Sequence, residues 1–228
     1  MNKILLKIPT RTRKNKFFNI FELYLNNIDY SYKNISFLIT LDDDDLEMNS
    51  ENVMKRFAFL SKLYDNIKIK IVSGKSENKI HAVNRDIDTY TELWDILILA
   101  SDDMTPVKYG YNKIISEDME QYFPDLDGVL YYPDAYTPLN TLPIIGNKYY
   151  KRFNYIYNPI YKSFFCDNEF MDVAIQLNKH QKIDLILFKH DHPCNVKLPS
   201  DELYKNNDKF WDEDKIIFEK RVKEQFKN

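Results

Sequence analysis

Ser101-Asp102-Asp103 stands directly after the apolar run Trp94 to Ala100. A carboxylate pair fixed at the end of a strand can hold a hard divalent cation such as Mg²⁺ or Mn²⁺, and that cation neutralises a diphosphate. The same two residues can instead cap a helix beginning at Met104-Thr105-Pro106. His190 and His192 flank Asp191 after the run Ile183 to Phe188. Residues two apart on an extended chain point the same way, so one imidazole can meet a metal and the other a phosphate; a plain surface pair is the alternative. Asp167 and Glu169 precede a helical pattern that includes Phe170 and Val173. A carboxylate beside an aromatic wall gains proton affinity and can act as general base toward a hydroxyl, although Asp167 is also a good helix cap.

Further polar residues gather in three other loops. Pro9-Thr10-Arg11-Thr12-Arg13 supplies two cations and two hydroxyls. The run Asp42 to Asp45 imitates a calcium loop, but no register supplies both the glycine at the sixth position and the glutamate at the twelfth. Asp42 or Asp43 can instead accept the imide N–H of a uracil or thymine, while Asp44 and Asp45 suit a solvated acidic helix start. The segment Gly74 to Arg85 carries Lys75, Lys79, Asn84 and Arg85, cations and an amide suited to a diphosphate and a sugar. It is not a Walker A loop, because the paired glycines and terminal Lys-Ser/Thr are absent.

These loops share one property: each follows a β-rich run. Strands are predicted at Lys3 to Ile8, Ile35 to Leu41, Ile67 to Val72 and Asp95 to Ala100. Between them, Phe17, Phe21, Tyr24 and Leu25 suit one helix face, Val53, Phe57, Leu60 and Tyr64 a second, and Ile80, Val83 and Ile87 a shorter third. Strand–helix alternation announces an α/β fold with a mostly parallel sheet flanked by helices, and such sheets bind ligands beyond the carboxyl ends of their strands. The second half predicts strands at Gly128 to Tyr132 and Ile144-Ile145, a helix over Glu169 to Leu177, a strand over Lys182 to Lys189 and a helical tail over Glu202 to Phe226. The expected organisation is a single domain over 1–228, with a nucleotide-sugar-binding half (1–106) and a smaller mixed acceptor half (107–228).

Composition sets limits. Hydrophobic residues make up 44% of 228, enough for a buried core, so disorder is not the default. A net charge of −3 gives no global drive toward nucleic acid or anionic lipid. Cys166 and Cys194 lack metal-ligand spacing, which points to a reducing cytoplasm. No apolar stretch approaches the roughly 20 residues that span a bilayer.

In this order, the pieces resemble the nucleotide-sugar glycosyltransferases of the GT-A fold, in particular the family 2-like enzymes of bacteria and phages. The carriers are Ile8-Pro9-Thr10-Arg11 at the first strand end, Asp42 at the second, Ala82-Val83-Asn84 in the third crossover and Ser101-Asp102-Asp103 as the DxD-type motif. Lys189-His190-Asp191-His192-Pro193 stands where a metal-assisting histidine is common in such enzymes, and Tyr161 to Phe170 looks like an acceptor-side segment. Ser101 replaces the first acidic residue of the common motif, and the family's Asp-Gly-Ser element is missing after the second strand.

The resemblance implies a metal-dependent enzyme that moves a sugar from a nucleoside-diphosphate donor, UDP-linked by expectation, to an acceptor hydroxyl with inversion. It places Mn²⁺ or Mg²⁺ on Asp103 with His190 or His192, the donor on Pro9, Thr10, Arg11, Arg13, Asp42, Lys79, Asn84 and Asp102, and the base at Asp167 or Glu169. The acceptor stays open among glycan, lipid-linked sugar, protein and modified nucleic acid. A nucleotidyltransferase is the rival enzyme, disfavoured because Pro9 to Arg13 contains no glycine. A non-catalytic nucleotide-sugar-binding module is the rival of another class.

Overall fold

In the computed structural model, which describes residues 1–192 and 202–227, seven strands form one sheet. They are β1 (Ile4–Thr10), β2 (Ile35–Asp42), β3 (Lys68–Gly74), β4 (Ile96–Leu99), β6 (Val129–Tyr131), β7 (Ile144–Gly146) and β8 (His180–Lys182), in the order β3-β2-β1-β4-β7-β6-β8. Only β7 runs against the others. A separate ribbon pairs β5 (Met104–Pro106) antiparallel with β9 (Phe188–His190).

The central strands read as unbroken apolar runs because both their faces are covered. Ile4, Leu6 and Ile8 of β1, with Phe37 and Ile39 of β2, pack under α1 (Lys14–Asn26), α2 (Glu51–Leu63) and α4 (Tyr111–Tyr122). Phe17, Phe21 and Phe57 dominate that layer, meeting at ring separations of 5.5–6.3 Å. The opposite face, with Leu5, Leu38 and Leu97, lies under α3 (Lys79–Asn84), α5 (Asn147–Tyr150) and α6 (Cys166–Gln176). Two further helices, α7 (Glu202–Asp208) and α8 (Trp211–Lys223), close the chain's described part.

Several elements differ from the sequence expectation. No helix follows Asp103: Met104–Pro106 forms β5, and the next helix starts at Tyr111. The pairing of Met104 with His190 and of Pro106 with Phe188 wins there, which removes the helix-cap reading of Asp102 and Asp103. The run Lys182 to Lys189 is divided between β8 and β9, which belong to different sheets. The tail is two helices, interrupted at Lys209-Phe210. Pro9 and Thr10 lie inside β1. Pro193 and Cys194 fall outside the described residues.

One charged residue sits inside the sheet layer. Lys7 on β1 is fully buried; its ammonium donates to Thr40 Oγ1 and to the Arg85 carbonyl (2.8 Å), with Asp86 at 3.9 Å. Burial dominates and brings the Lys7 pKa down to about 7, against the partial support of Asp86. The unfolded chain retains the ordinary lysine value of 10.5. Between these values the unfolded state binds more protons, so this group's contribution to stability rises with pH and is lost as pH falls to 7. From pH 7 to about 9.5 the expected gain is on the order of 3 kcal/mol. Urea melts across that window should show the rise in the wild type and a flatter profile in Lys7→Met.

Candidate active site

The parallel strands deliver their carboxyl ends to one edge, and the polar loops meet there. Asp102 and Asp103 follow β4, and both are buried. Arg13, in a left-handed conformation (φ 54°) just before α1, donates to Asp102 Oδ1 at 3.1 Å, and Lys16 approaches the same oxygen at 3.7 Å. Burial raises the Asp102 pKa, and these cations only partly offset it.

Asp103 is held differently. Ser101 Oγ and the Tyr204 hydroxyl (2.7 Å) donate to its carboxylate, and His190 Nε2 stands 3.7 Å away. Burial alone would raise this carboxyl, but His190, Ser101 and Tyr204 outweigh it and hold it well below the usual range. On its other side, His190 Nδ1 lies 3.6 Å from Asp134 Oδ2. Burial opposes the charge on the imidazole, yet the two carboxylates push its pKa up to about 9. Asp134 is fixed in turn by the amides of Tyr136 (2.9 Å) and Thr137 (2.8 Å) and by the Thr141 hydroxyl. His192 stacks edge-on to His190 and to Tyr204, and burial lowers its pKa.

Among the described residues no three His, Cys, Asp or Glu side chains converge as a closed metal cage. The donor set nonetheless fits a hard cation bound together with a substrate. Such ions commonly take one or two protein carboxylates and complete their shell with phosphate oxygens and water. A ligating histidine has its second nitrogen held by a carboxylate, and Asp134 occupies that position for His190. Asp103 is the carboxylate and His190 Nε2 the adjoining nitrogen; as it stands the His190 imidazolium balances the Asp103 charge, and it would have to release its Nε2 proton to join a cation there.

At the β1 and β2 ends, Arg11 bridges Asp42 Oδ2 (2.8 Å) and Asp44. Thr10 Oγ1 and Asp42 Oδ1 are buried without hydrogen-bond partners among the described residues. The Arg85 guanidinium donates to the Leu41 carbonyl and lies 3.9 Å from Asp42 Oδ1. It crosses Gly74 so closely that a Cβ there would sit 2.6 Å from Nη1.

Asp167 lies in the first turn of α6. Burial raises its proton affinity, opposed by the charges of Lys79 and His190 and by backbone hydrogen bonds. Glu169 is engaged elsewhere: Arg221 grips both its oxygens (2.6 and 3.0 Å), and Tyr161 and Asn158 also donate to it. Burial opposes that charge, but these donors lower its pKa overall, so it is an ionised anchor with no lone capacity for an acceptor proton. Asn84 is likewise spent on structure, accepting from the amides of Ile156 and Tyr157 and donating to the Tyr157 carbonyl. Lys79 is exposed at the start of α3.

Asp134, Tyr204 and Lys16 carry no local signal in sequence, with one exception. Asp134 follows β6, which runs parallel to β4, so the strand-end rule extended to the second half finds Pro133-Asp134.

No protein-family model matches the chain, and no curated protein matches its sequence. Solved structures do match. The mannosyltransferase PcManGT of Pyrobaculum calidifontis, in complex with GDP-Man and Mn²⁺, superposes with a TM-score of 0.62 at 9% identity over 81% of this chain. TarS of S. aureus, residues 1–349 in complex with UDP, gives 0.61 at 12% identity over 82%. The chain has the GT-A fold. It spans 55% of the mannosyltransferase chain and 60% of that TarS chain. At such identities the GT-A likeness is one of fold. No helix among the described residues is long and apolar enough to cross a membrane.

Proposed function

We propose that this GT-A protein is a glycosyltransferase that moves a sugar from a nucleoside diphosphate, UDP-linked, to an acceptor hydroxyl with inversion. The observation that carries the reading is Asp103 beside His190 at the carboxyl end of β4, with Asp167, raised in proton affinity by burial, in the first turn of α6. The GDP-Man, Mn²⁺ and UDP bound by the structural neighbours support it.

Asp42 Oδ1, a buried acceptor in want of a donor, takes the imide N–H of uracil, and Arg85 frames the base beside it. Arg13 and Lys16 face the diphosphate, with Asp102 holding both cations in place. Asp103, with His190 Nε2 once deprotonated, would hold Mn²⁺ or Mg²⁺, which when bound would supply positive charge to the departing diphosphate. Asp167 accepts the proton of the acceptor hydroxyl as its oxygen bonds to the anomeric carbon, and the bond from that carbon to the diphosphate oxygen breaks. The nucleoside diphosphate leaves with the electron pair. A single base and no second carboxylate nucleophile in the proposal correspond to direct displacement, hence inversion.

A ligand that binds only the native state raises apparent stability by RT ln(1 + [L]/Kd). Thermal melts with UDP-glucose, UDP-N-acetylglucosamine, GDP-mannose and CMP-sialic acid should show the largest rise for a UDP sugar, only with Mn²⁺ or Mg²⁺ present. A rise for GDP-mannose alone would reassign the base, and no rise for any would remove the reading.

A further inference from the structure

Helix α8 buries an unusual pair. Its buried residues are Asp214 and Arg221, a carboxylate and a guanidinium two turns apart. Burying charge is costly unless every charged atom is satisfied, so such contacts specify geometry more than they add stability. Asp214 is 0% exposed. Its Oδ1 accepts from the Lys162 amide (3.0 Å), and its Oδ2 accepts from those of Ser163 and Phe164 (both 2.8 Å). Three consecutive backbone N–H groups therefore converge on one carboxylate.

That segment leads straight to Asp167. Phe165, the next residue, is left-handed at φ 59°, a conformation that is unfavourable for a residue with a Cβ and persists only where packing imposes it. The packing comes from α8: Phe165 lies 4.9 Å from Trp211 and stacks on Phe218 at 5.4 Å. Helix α6 starts immediately afterwards, with Asp167 in its first turn and Glu169 gripped by Arg221. The same segment returns to α3, where Ile80 donates to the Lys162 carbonyl.

We infer that Asp214 is a positioning residue for the proposed base: through the Lys162–Phe164 amides, helix α8 sets the turn from which Asp167 enters α6. This rests on the glycosyl-transfer reading for its catalytic consequence, but not for its structural one. Asp214→Asn keeps the shape and exchanges an acceptor oxygen for a donor NH₂ facing a backbone N–H, so one arm of the clamp opens.

The test uses the full chain in four forms: wild type, Asp214→Asn, Asp167→Asn and the double variant. Hydrolysis of UDP-glucose with Mn²⁺ reports turnover, UDP titration reports donor-site affinity, and amide hydrogen exchange reports the 162–168 segment. In Asp214→Asn, kcat is expected to fall about 10–100-fold, the scale of an ångström-level misplacement, with UDP affinity within about 2-fold of wild type. The double variant should be no slower than Asp167→Asn alone, because the two residues act as a unit. Exchange at residues 162–168 should accelerate while β1 and β2 stay protected.

Multiplicative losses in the double variant, or unchanged kcat, would overturn the inference. So would loss of UDP binding along with turnover in a variant that still melts cooperatively, because the effect would then not be confined to the turn before Asp167. If Asp214→Asn does not fold, Trp211→Leu, at a half-exposed position, loosens Phe165 while keeping the carboxylate, and a several-fold fall in kcat at constant UDP affinity is expected there. If the wild type turns over no sugar nucleotide, it is the functional reading that fails, and exchange at 162–168 alone decides whether Asp214 holds the turn.

Discussion

Asp103→Ala is expected to abolish Mn²⁺-dependent binding of UDP and to reduce sugar transfer by about 10³-fold or more, the scale of losing a principal electrostatic stabiliser of a leaving group. The effect is large because, of the two carboxylates that follow β4, Asp103 is the one whose charge the surroundings maintain. Asp102 beside it is raised by burial and already paired with Arg13 and Lys16. Asp103 receives Ser101, Tyr204 and His190, and sits well below the usual range. The substitution also removes one of the two carboxylates flanking His190, so the imidazole should titrate below its present value near 9. The fold should survive, since the site lies beyond the sheet and the hydrophobic layers do not include Asp103. Calorimetric titration of UDP with and without Mn²⁺, beside a thermal melt of the free protein, measures both halves. Metal-dependent binding that persists in the variant would move the cation to other residues.

Asp167→Asn should leave UDP affinity within about 2-fold and lower kcat by about 10²–10⁴-fold, the range lost with a positioned general base. The side chains are near-isosteric, but an amide cannot take the acceptor proton. Burial raises the proton affinity of the Asp167 carboxyl, opposed in part by the charges of Lys79 and His190, and raised proton affinity is what a carboxylate base requires. The split between unchanged donor affinity and collapsed kcat separates a base from a donor ligand. Single-turnover measurements of both variants give that split directly. A kcat equal to wild type would leave the base unassigned, because Glu169 is committed to Arg221, Tyr161 and Asn158.

Much of the framework was legible because it depends on short-range pattern. The alternating coverage of β1, β2 and β4 produces uninterrupted apolar runs, and the helix faces of Phe17, Phe21, Val53 and Phe57 repeat at helical spacing. The polar residues at strand ends were found by the same logic, and Asp102, Asp103, Arg13 and His190 do meet. What escaped depends on contacts distant in sequence. Met104 to Pro106 became a strand because Phe188 to His190 lies beside it, over 80 residues away. Glu169 ranks behind Asp167 as a base in sequence, but nothing local shows that Arg221 grips it, and nothing near Asn84 marks its clamp on Ile156 and Tyr157. Tyr204 reaches Asp103 across about a hundred residues, and no local pattern marks a tyrosine for that. The tail read as an amphipathic helix, yet its buried positions are Asp214 and Arg221, which an apolar periodicity cannot reveal.

The claim that this GT-A protein transfers sugars is tested most directly by the products it makes. The full chain, incubated with UDP-glucose, UDP-N-acetylglucosamine and GDP-mannose in turn with Mn²⁺ and a pool of simple sugar acceptors, should release a nucleoside diphosphate from a UDP sugar. Release should stop on chelation, and the anomeric proton of the first product should show inversion. Pyrophosphate formed from UTP and a sugar phosphate, or tight nucleotide binding with no nucleoside diphosphate released from any donor, would contradict it.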